Sequence, residues 1–303
     1  MAWNANGSEG ALQIRFWGVR GSMCVSGPEF MEFGGHTLCL EVRCGTRLFI
    51  VDAGSGLAAL GRSLGGAAPA EIDLLLSHLH LDHIMGLPFF KPAILGQDRV
   101  IRTYCGHLGG EGAQSTFEKL FAPPIFPVGL KDLPTRFEHH GFHAGEALTL
   151  PDGTTVDTHA LNHPGGATGY RFRHGGRSAC YLSDLEHTDP WPDPKLAAFV
   201  SGADLVIYDG MFAEAEYSWC KGWGHSTWHK GVELCRAADV KALAIVHHCP
   251  GHTDIALREI EAELQSVMPA AFLARERQAV TLGAGEHAGA VAGEGIVAKL
   301  PAE

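Results

Sequence analysis

The chain has 303 residues, 46% of them hydrophobic and 19% charged, enough for one large α/β domain whose core needs no disulfides. A formal net charge of -11 and the lack of any Lys/Arg run exclude a polybasic membrane-binding segment and disfavour extended nucleic-acid binding. The 18 histidines are the outlier and invite a search for metal-ligand spacing.

Residues 1–11 read as a loosely attached, flexible tail, and residues 12–303 as one domain. "LQIRFWGV" from Leu12 reads as a strand. "TLCLEVRCGTRLFIVDAG" reads as two strands joined at Cys44-Gly45-Thr46. "GLAALGRSL" fits a short amphipathic helix, "EIDLLLSH" a buried strand, "DHIMGLPFF" the start of a helix, and "RVIRTYCG" the next strand. Residues 107–145 look irregular, punctuated by Pro123, Pro124, Pro127 and Pro134, and suit a lid or pocket wall. His139, His140 and His143 there read as solvated loop residues.

Strands resume in "EALTLPDGTTVDTHAL" and in "ATGYRFRHGGRSACYLSD", a hairpin turning at Gly175-Gly176. "DPKLAAFVSGA", "HSTWHKGVELCRAADV" and "HTDIALREIEAELQSV" read as helices, "DLVIYDG" and "KALAIVHH" as buried strands, and "QAVTLG" as a last strand. The pattern suggests a single domain of two sheets with helices outside. No Gly-x-Gly-x-x-Gly follows a first strand, so a dinucleotide site is not expected.

The 8 cysteines contain no C-x-x-C pair, which fits free thiols in a reducing compartment. The N-terminus lacks the features of a signal peptide, and no apolar run reaches the about 18 residues of a membrane span. The expectation is a cytoplasmic protein. Trp17, Trp219, Trp223 and Trp228 are expected in the core.

"SHLHLDHIMG" follows the buried strand "IDLLL" and places His78, His80, Asp82 and His83 within six positions. His78 and His80, spaced i, i+2, point to one side of an extended segment. Asp82 and His83 can swing toward the same point. Imidazole and carboxylate are ligands of zinc, manganese and iron. So many ligands crowd a single tetrahedral ion, so a pair of ions sharing ligands from other strand ends is expected. The candidates are His163 in "LNHPGG", Asp184 in "YLSDLE", and His247 or His248 in "AIVHHCPGH".

With H78-x-H80-x-D82-H83, His163, Asp184 and His247 in this order, the chain resembles the metallo-β-lactamase superfamily from about Arg15 to Glu276. It is most similar to the branch holding ribonuclease Z and cyclic-nucleotide phosphodiesterase-like hydrolases. "RFWGVRGS", "FGGHTLCLEV", "VDAGSG", "GLPFFKPA" and "GWGHSTW" carry that likeness. His36 departs from it, since many relatives have Asn there.

The resemblance implies a four-layer αβ/βα sandwich and two divalent ions, zinc first, with manganese or iron also suited. One ion takes His78, His80 and His163; the other takes Asp82, His83 and His247; Asp184 bridges them. His248 is the alternative to His247. Two such ions activate a bridging water and neutralise charge on a phosphate. The resemblance also implies His225 as general acid and Asp209 as its orienting partner, so Asp82, Asp209 and His225 form the expected catalytic group.

A phosphodiesterase for a small phosphodiester or cyclic nucleotide is the expected function. The alternatives are a carbonyl-directed hydrolase (lactonase, thioesterase or β-lactamase type) and a non-catalytic metal-binding module. Nothing resembles the basic, glycine-rich arm with which ribonuclease Z grips tRNA. The expected partner is a small-molecule substrate, without extended nucleic acid or membrane, and the branch leaves a homodimer open.

Overall fold

The structure is a computed structural model that describes residues 10–283 and, by backbone, the strands at 289–291 and 297–299. Most of the tail expected over residues 1–11 therefore lies outside the described residues. Ala11 is buried, and its carbonyl accepts the Gly45 amide.

Strands β1 (Leu12–Gly18), β2 (Cys39–Cys44), β3 (Arg47–Val51), β4 (Glu71–Leu76), β5 (Val100–Cys105) and β6 (Arg136–Gly141) build most of the first sheet. Strands β7 (Leu148–Thr149), β8 (Thr155–Leu161), β9 (Ala167–His174), β10 (Arg177–Leu182), β11 (Leu205–Asp209), β12 (Leu243–Val246) and β13 (Ala271–Leu273) build the second. β14 (Ala279–Leu282), β15 (Gly289–Val291) and β16 (Val297–Lys299) return to the first. The 9-stranded sheet runs β16-β15-β14-β1-β2-β3-β4-β5-β6, and the 7-stranded sheet runs β13-β12-β11-β10-β9-β8-β7.

Each sheet is antiparallel on one side and parallel on the other. β3 to β6 pair in parallel, as do β10 to β13. The inner parallel strands β3, β4, β11 and β12 read as near-continuous apolar runs because both of their faces are covered, whereas the edge strand β6 does not. β11 and β12 are buried at every position. β8 alternates over its first half, with Val156 and Thr158 buried and Thr155 and Asp157 less so.

The β9–β10 hairpin turns at Gly175 (φ 58°) and Gly176 (φ 74°), a pair of positive angles that glycine adopts without a Cβ clash.

The sheets pack face to face through Ile14, Phe16, Phe49 and Leu75 on one side and Tyr170, Phe172, Tyr181 and Ile207 on the other. Helices α1 (Gly56–Leu64), α2 (Lys91–Leu95) and α3 (Gln114–Leu120) cover the outer face of the first sheet. Helices α4 (Pro194–Val200), α6 (Trp228–Ala237) and α7 (Asp254–Val267) cover the second, and α5 (Glu214–Cys220) lies before α6. This is the expected αβ/βα sandwich. Asp193 caps α4 by accepting from the Lys195 and Leu196 amides, with Pro194 at the first helical position.

The structure corrects several local expectations. Residues 107–145 are not irregular throughout: they hold α3 and the edge strand β6. His139 and His140 sit on β6, where Thr103 Oγ1 lies 2.8 Å from His139 Nδ1 and His140 stacks on Tyr104. "DHIMGLPFF" forms two 3-10 turns, Leu81–His83 and Leu87–Phe89, rather than one helix. Gly86 is pressed onto the Gly54 carbonyl between these turns, too close for any Cβ. The backbone there follows that contact and the ligand loop rather than helix propensity.

Candidate metal centre

Most candidate residues gather where parallel strands end, the usual binding crevice of α/β sheets, and the antiparallel strand β8 adds His163. His78 follows β4, His163 follows β8, Asp184 follows β10, Asp209 ends β11 and His247 follows β12. Three residues beside strand ends, Asp52 (φ 58°), Asp184 (φ 62°) and His247 (φ 60°), hold left-handed backbone. Each such conformation costs on the order of 1–3 kcal/mol and persists only where its surroundings dictate it.

Among the described residues, four overlapping sets of side chains bring ligand atoms within 4.8 Å of one another, and two of them match the expected sets. The rings of His78, His80 and His163 pack with centroids 4.3, 4.7 and 5.0 Å apart, and His163 Nε2 faces His80 Nδ1 at 3.1 Å. In the other group, Asp82 Oδ2 lies 3.4 Å from His83 Nε2 and 3.5 Å from His247 Nε2. The Asp184 carboxylate stands between them. Its Oδ1 is 3.9 Å from His78 Nε2, 3.8 Å from His163 Nε2 and 3.3 Å from His247 Nε2, and its Oδ2 is 3.0 Å from His83 Nε2. Ligands about 2 Å from a shared tetrahedral ion lie roughly 3.3 Å from one another, so these separations suit divalent metal.

The hydrogen bonds support the same reading. Nε2 of His78, His83 and His247 are buried without a hydrogen-bond partner, a costly state unless something else satisfies them. The opposite nitrogens of three histidines are engaged. His78 Nδ1 lies 3.1 Å from Ser77 Oγ, His83 Nδ1 2.9 Å from Asp52 Oδ2, and His163 Nδ1 2.9 Å from the Gly224 carbonyl. A proton on each Nδ1 leaves the Nε2 lone pair aimed into the cluster, as metal-binding histidines require. The buried Nε2 atoms and the donor types fit divalent ions.

Electrostatics divide the histidines. Burial, then the facing His83, pushes the His78 pKa well down and keeps its lone pair available. Burial would do the same to His83 and His247, but the carboxylates win: Asp184, Asp52 and Asp82 raise His83, and Asp184, Asp209 and Asp82 raise His247 to about 9. Burial would raise Asp184, but His247, His83 and His78 hold it well below the usual carboxylate range.

His225 and Asp209 meet beside this cluster. His225 Nδ1 donates to Asp209 Oδ2 at 2.8 Å, and Asp209 also accepts from the Met211 amide at 3.0 Å. The His225 ring stacks on His247 at 4.5 Å, and its Nδ1 is 3.8 Å from Asp184 Oδ1. His248 turns away. Its Nε2 donates to the Ala274 carbonyl at 2.8 Å, and burial pushes its pKa down to about 3.

Two glycines make room for the rings. A Cβ on Gly21 would overlap the His247 imidazole, and one on Gly224 (φ 92°) would overlap His163 and Pro164. Asp82 is steered by the Ser22 amide, which donates to its Oδ2 at 2.9 Å, and by Thr37 Oγ1, which donates to its carbonyl at 2.7 Å.

Sequence reasoning missed Asp52. This fully buried carboxylate accepts from the Ser77 amide (2.7 Å), Ser77 Oγ (2.9 Å), Tyr181 OH (2.6 Å) and His83 Nδ1 (2.9 Å). The available signal was an aspartate ending the apolar run "RLFIVD". The tryptophan expectation holds for Trp17 and Trp228, which are buried, and fails for Trp219 and Trp223, which are 84% and 62% exposed. Both lie on α5 or the segment leading to His225, outside either sheet's core.

Comparisons with known proteins bear on the family and the fold. A family model described as "Beta-lactamase superfamily domain" matches residues 47–248. The chain is 24% identical over 284 residues to a ribonuclease Z of Porphyromonas gingivalis, covering 78% of this chain and 90% of that protein. Its fold matches the metallo-beta-lactamase fold protein YhfI of Bacillus subtilis, with TM-score 0.65 and 20% identity over 90% of this chain and 100% of the other. It also matches a diphosphatase from the PhnP family, with TM-score 0.64 and 17% identity over 90% of this chain and 97% of the other. Among the described residues no helix is long and apolar enough to cross a membrane. The chain belongs to the beta-lactamase superfamily and is a metal-dependent hydrolase of the metallo-β-lactamase fold.

Proposed function

We propose that the protein is a phosphodiesterase that works with two divalent ions, zinc first among them. His78, His80 and His163 would hold one ion, Asp82, His83 and His247 would hold the other, and Asp184 would be shared between them. When bound, such a pair supplies an activated water and neutralises charge on a phosphate. The chain's own residues then do the rest. Asp52 orients His83, and Asp82 completes the deeper set. His225 gives a proton from Nε2 to the departing oxygen, while Asp209 holds Nδ1 and balances the charge on the ring.

The observation that carries this reading is the 2.8 Å bond from His225 Nδ1 to Asp209, beside the two ligand sets. Metal ligands alone serve a carbonyl substrate as well as a phosphate. A departing alkoxide needs a proton, and a histidine oriented by a buried carboxylate is suited to give one. The ribonuclease Z relative supports phosphodiester chemistry. It also favours a second reading in which the diester belongs to RNA. The net charge of -11 favours a small diester over a long polyanion.

A substrate panel tests both. Metal-loaded protein is expected to hydrolyse bis-p-nitrophenyl phosphate and a cyclic nucleotide. Preference for a tRNA precursor would select the RNA reading. Turnover of a lactone or thioester without any phosphodiester activity would sink the proposal.

A further inference from the structure

Glu186 belongs to neither ligand set, yet it ties down the segment that carries His225. Its side chain is almost fully buried. Oε1 accepts from the Tyr217 hydroxyl at 2.9 Å and the Gly222 amide at 2.7 Å, and Oε2 accepts from the Gly224 amide at 2.9 Å. Its backbone is anchored as well. The Glu186 amide donates to the Asn162 carbonyl at 2.8 Å, and Asn162 Nδ2 donates to the Glu186 carbonyl at 3.0 Å. Asn162 precedes His163, and Glu186 lies two positions after Asp184. One residue thus joins the loop of His163, the loop of Asp184 and the 217–225 segment.

Helix α5 shapes the segment as far as Cys220, whose carbonyl accepts the Trp223 amide at 3.0 Å, and the Tyr217 ring packs on His187 at 4.3 Å. Gly222 (φ 90°) and Gly224 (φ 92°) give the segment a glycine backbone, and Trp219 and Trp223 project outward. The Gly224 peptide is held on both sides. Its amide donates to Glu186, and its carbonyl accepts from His163 Nδ1 at 2.9 Å. His225 is the next residue. The orientations of a metal-facing histidine and of the proton donor therefore share one anchor. A carboxylate that accepts backbone amides makes a charge-assisted bond, stronger than a neutral one.

We propose that Glu186 is a positioning residue that sets His163 and His225 together by clamping the Gly222–Gly224 backbone. The proposal deepens the phosphodiesterase reading and rests on it for its kinetic consequence. Glu186→Gln separates the effects cleanly. It keeps the volume but replaces one acceptor oxygen with an amide NH2, which cannot accept from a backbone N–H. Either the Gly224 bond or the Gly222 bond is then lost.

The test compares two diesters on the metal-loaded variant. A dinucleoside phosphate has an alkoxide leaving group that needs His225, whereas p-nitrophenolate leaves bis-p-nitrophenyl phosphate without a proton. In Glu186→Gln the ratio of kcat/KM for the dinucleoside phosphate to that for the nitrophenyl diester is expected to fall by about tenfold or more. Hydrogen exchange over residues 217–225 should speed up while the rest of the chain stays protected. Glu186→Asp, which restores both acceptor oxygens, should recover part of the ratio. An equal loss on both substrates, or unchanged exchange over 217–225, overturns the proposal.

If wild-type protein turns over neither diester, the phosphodiesterase reading falls. The exchange result then decides the clamp alone. If Glu186→Gln does not fold, Tyr217→Phe must give a smaller shift of the same sign, and no shift overturns the clamp.

Discussion

The two ligand sets differ in charge and depth. His78, His80 and His163 are all imidazoles, and His80 reaches the surface. Asp82, His83 and His247 include a carboxylate, with His83 and His247 fully buried and His83 backed by Asp52. The open set has no carboxylate of its own, whereas the deep set places Asp82 beside its histidines and Asp52 behind His83. The deep set should therefore hold its ion more tightly and bind protons more strongly when it lacks one. Chelation is expected to remove the ion of the open set first.

The largest effect belongs to the residue both sets share. Asp184→Ala should lower metal content toward zero in plasma emission analysis. It should cost well over the about 100-fold typical of losing an outer-shell partner. Retention of two ions would mean that the sets do not depend on Asp184. Next comes the proton donor. His225→Ala should lower kcat about 100- to 10,000-fold while leaving metal content unchanged. Loss of metal in that variant would make His225 a ligand instead.

Asp52→Asn should weaken only the deep set, by about 10- to 100-fold in metal affinity, because His83 loses the carboxylate that fixes its tautomer. Competitive titration with a chromophoric chelator reads this as one weakened ion and one unchanged. Equal weakening of both would erase the contrast between the sets.

The pH dependence sharpens it further. His83 and His247 have raised pKa values, that of His247 about 9, so protons occupy the metal-free deep set at neutral pH. A ligand histidine must lose its proton to bind. Affinity of the deep set should thus rise with pH up to about 9, with protons released on binding. His78 and His163 are lowered mainly by burial, so the open set should lose affinity only in acid. Calorimetry in buffers of different ionisation enthalpy counts the released protons, and equal counts for the two ions would contradict the assignment.

The smallest effect tests the paired histidines. His248→Ala should leave both ions in place and lower stability by about 1–3 kcal/mol, the cost of leaving the buried Ala274 carbonyl without its partner. Denaturant melts and metal analysis of one sample suffice.

Much of the candidate cluster was legible because its residues lie close in sequence or at the ends of apolar strands. His78 to His83 are contiguous, and Asp184, Asp209 and His247 each close a buried run. The two-sheet sandwich followed from hairpins that give way to alternating strands and helices. The missed features act through space. Asp52 meets Tyr181 across 129 positions, and His163 meets the Gly224 carbonyl across 61. Glu186 looks like any acidic loop residue until its donors surround it. The helix expected at "DHIMGLPFF" failed because contacts between Gly54 and Gly86 override local propensity. The two exposed tryptophans broke a rule of average burial that says nothing about a particular loop.

The most direct measurement is anomalous diffraction from crystals of the metal-loaded protein. Two peaks about 3.5–4 Å apart, one on each side of Asp184, are expected. A single peak, or one enclosed by Asp184, Asp209, His225 and His247, whose ligand atoms also lie within 4.8 Å of one another, would contradict the two-set assignment and the role of His225.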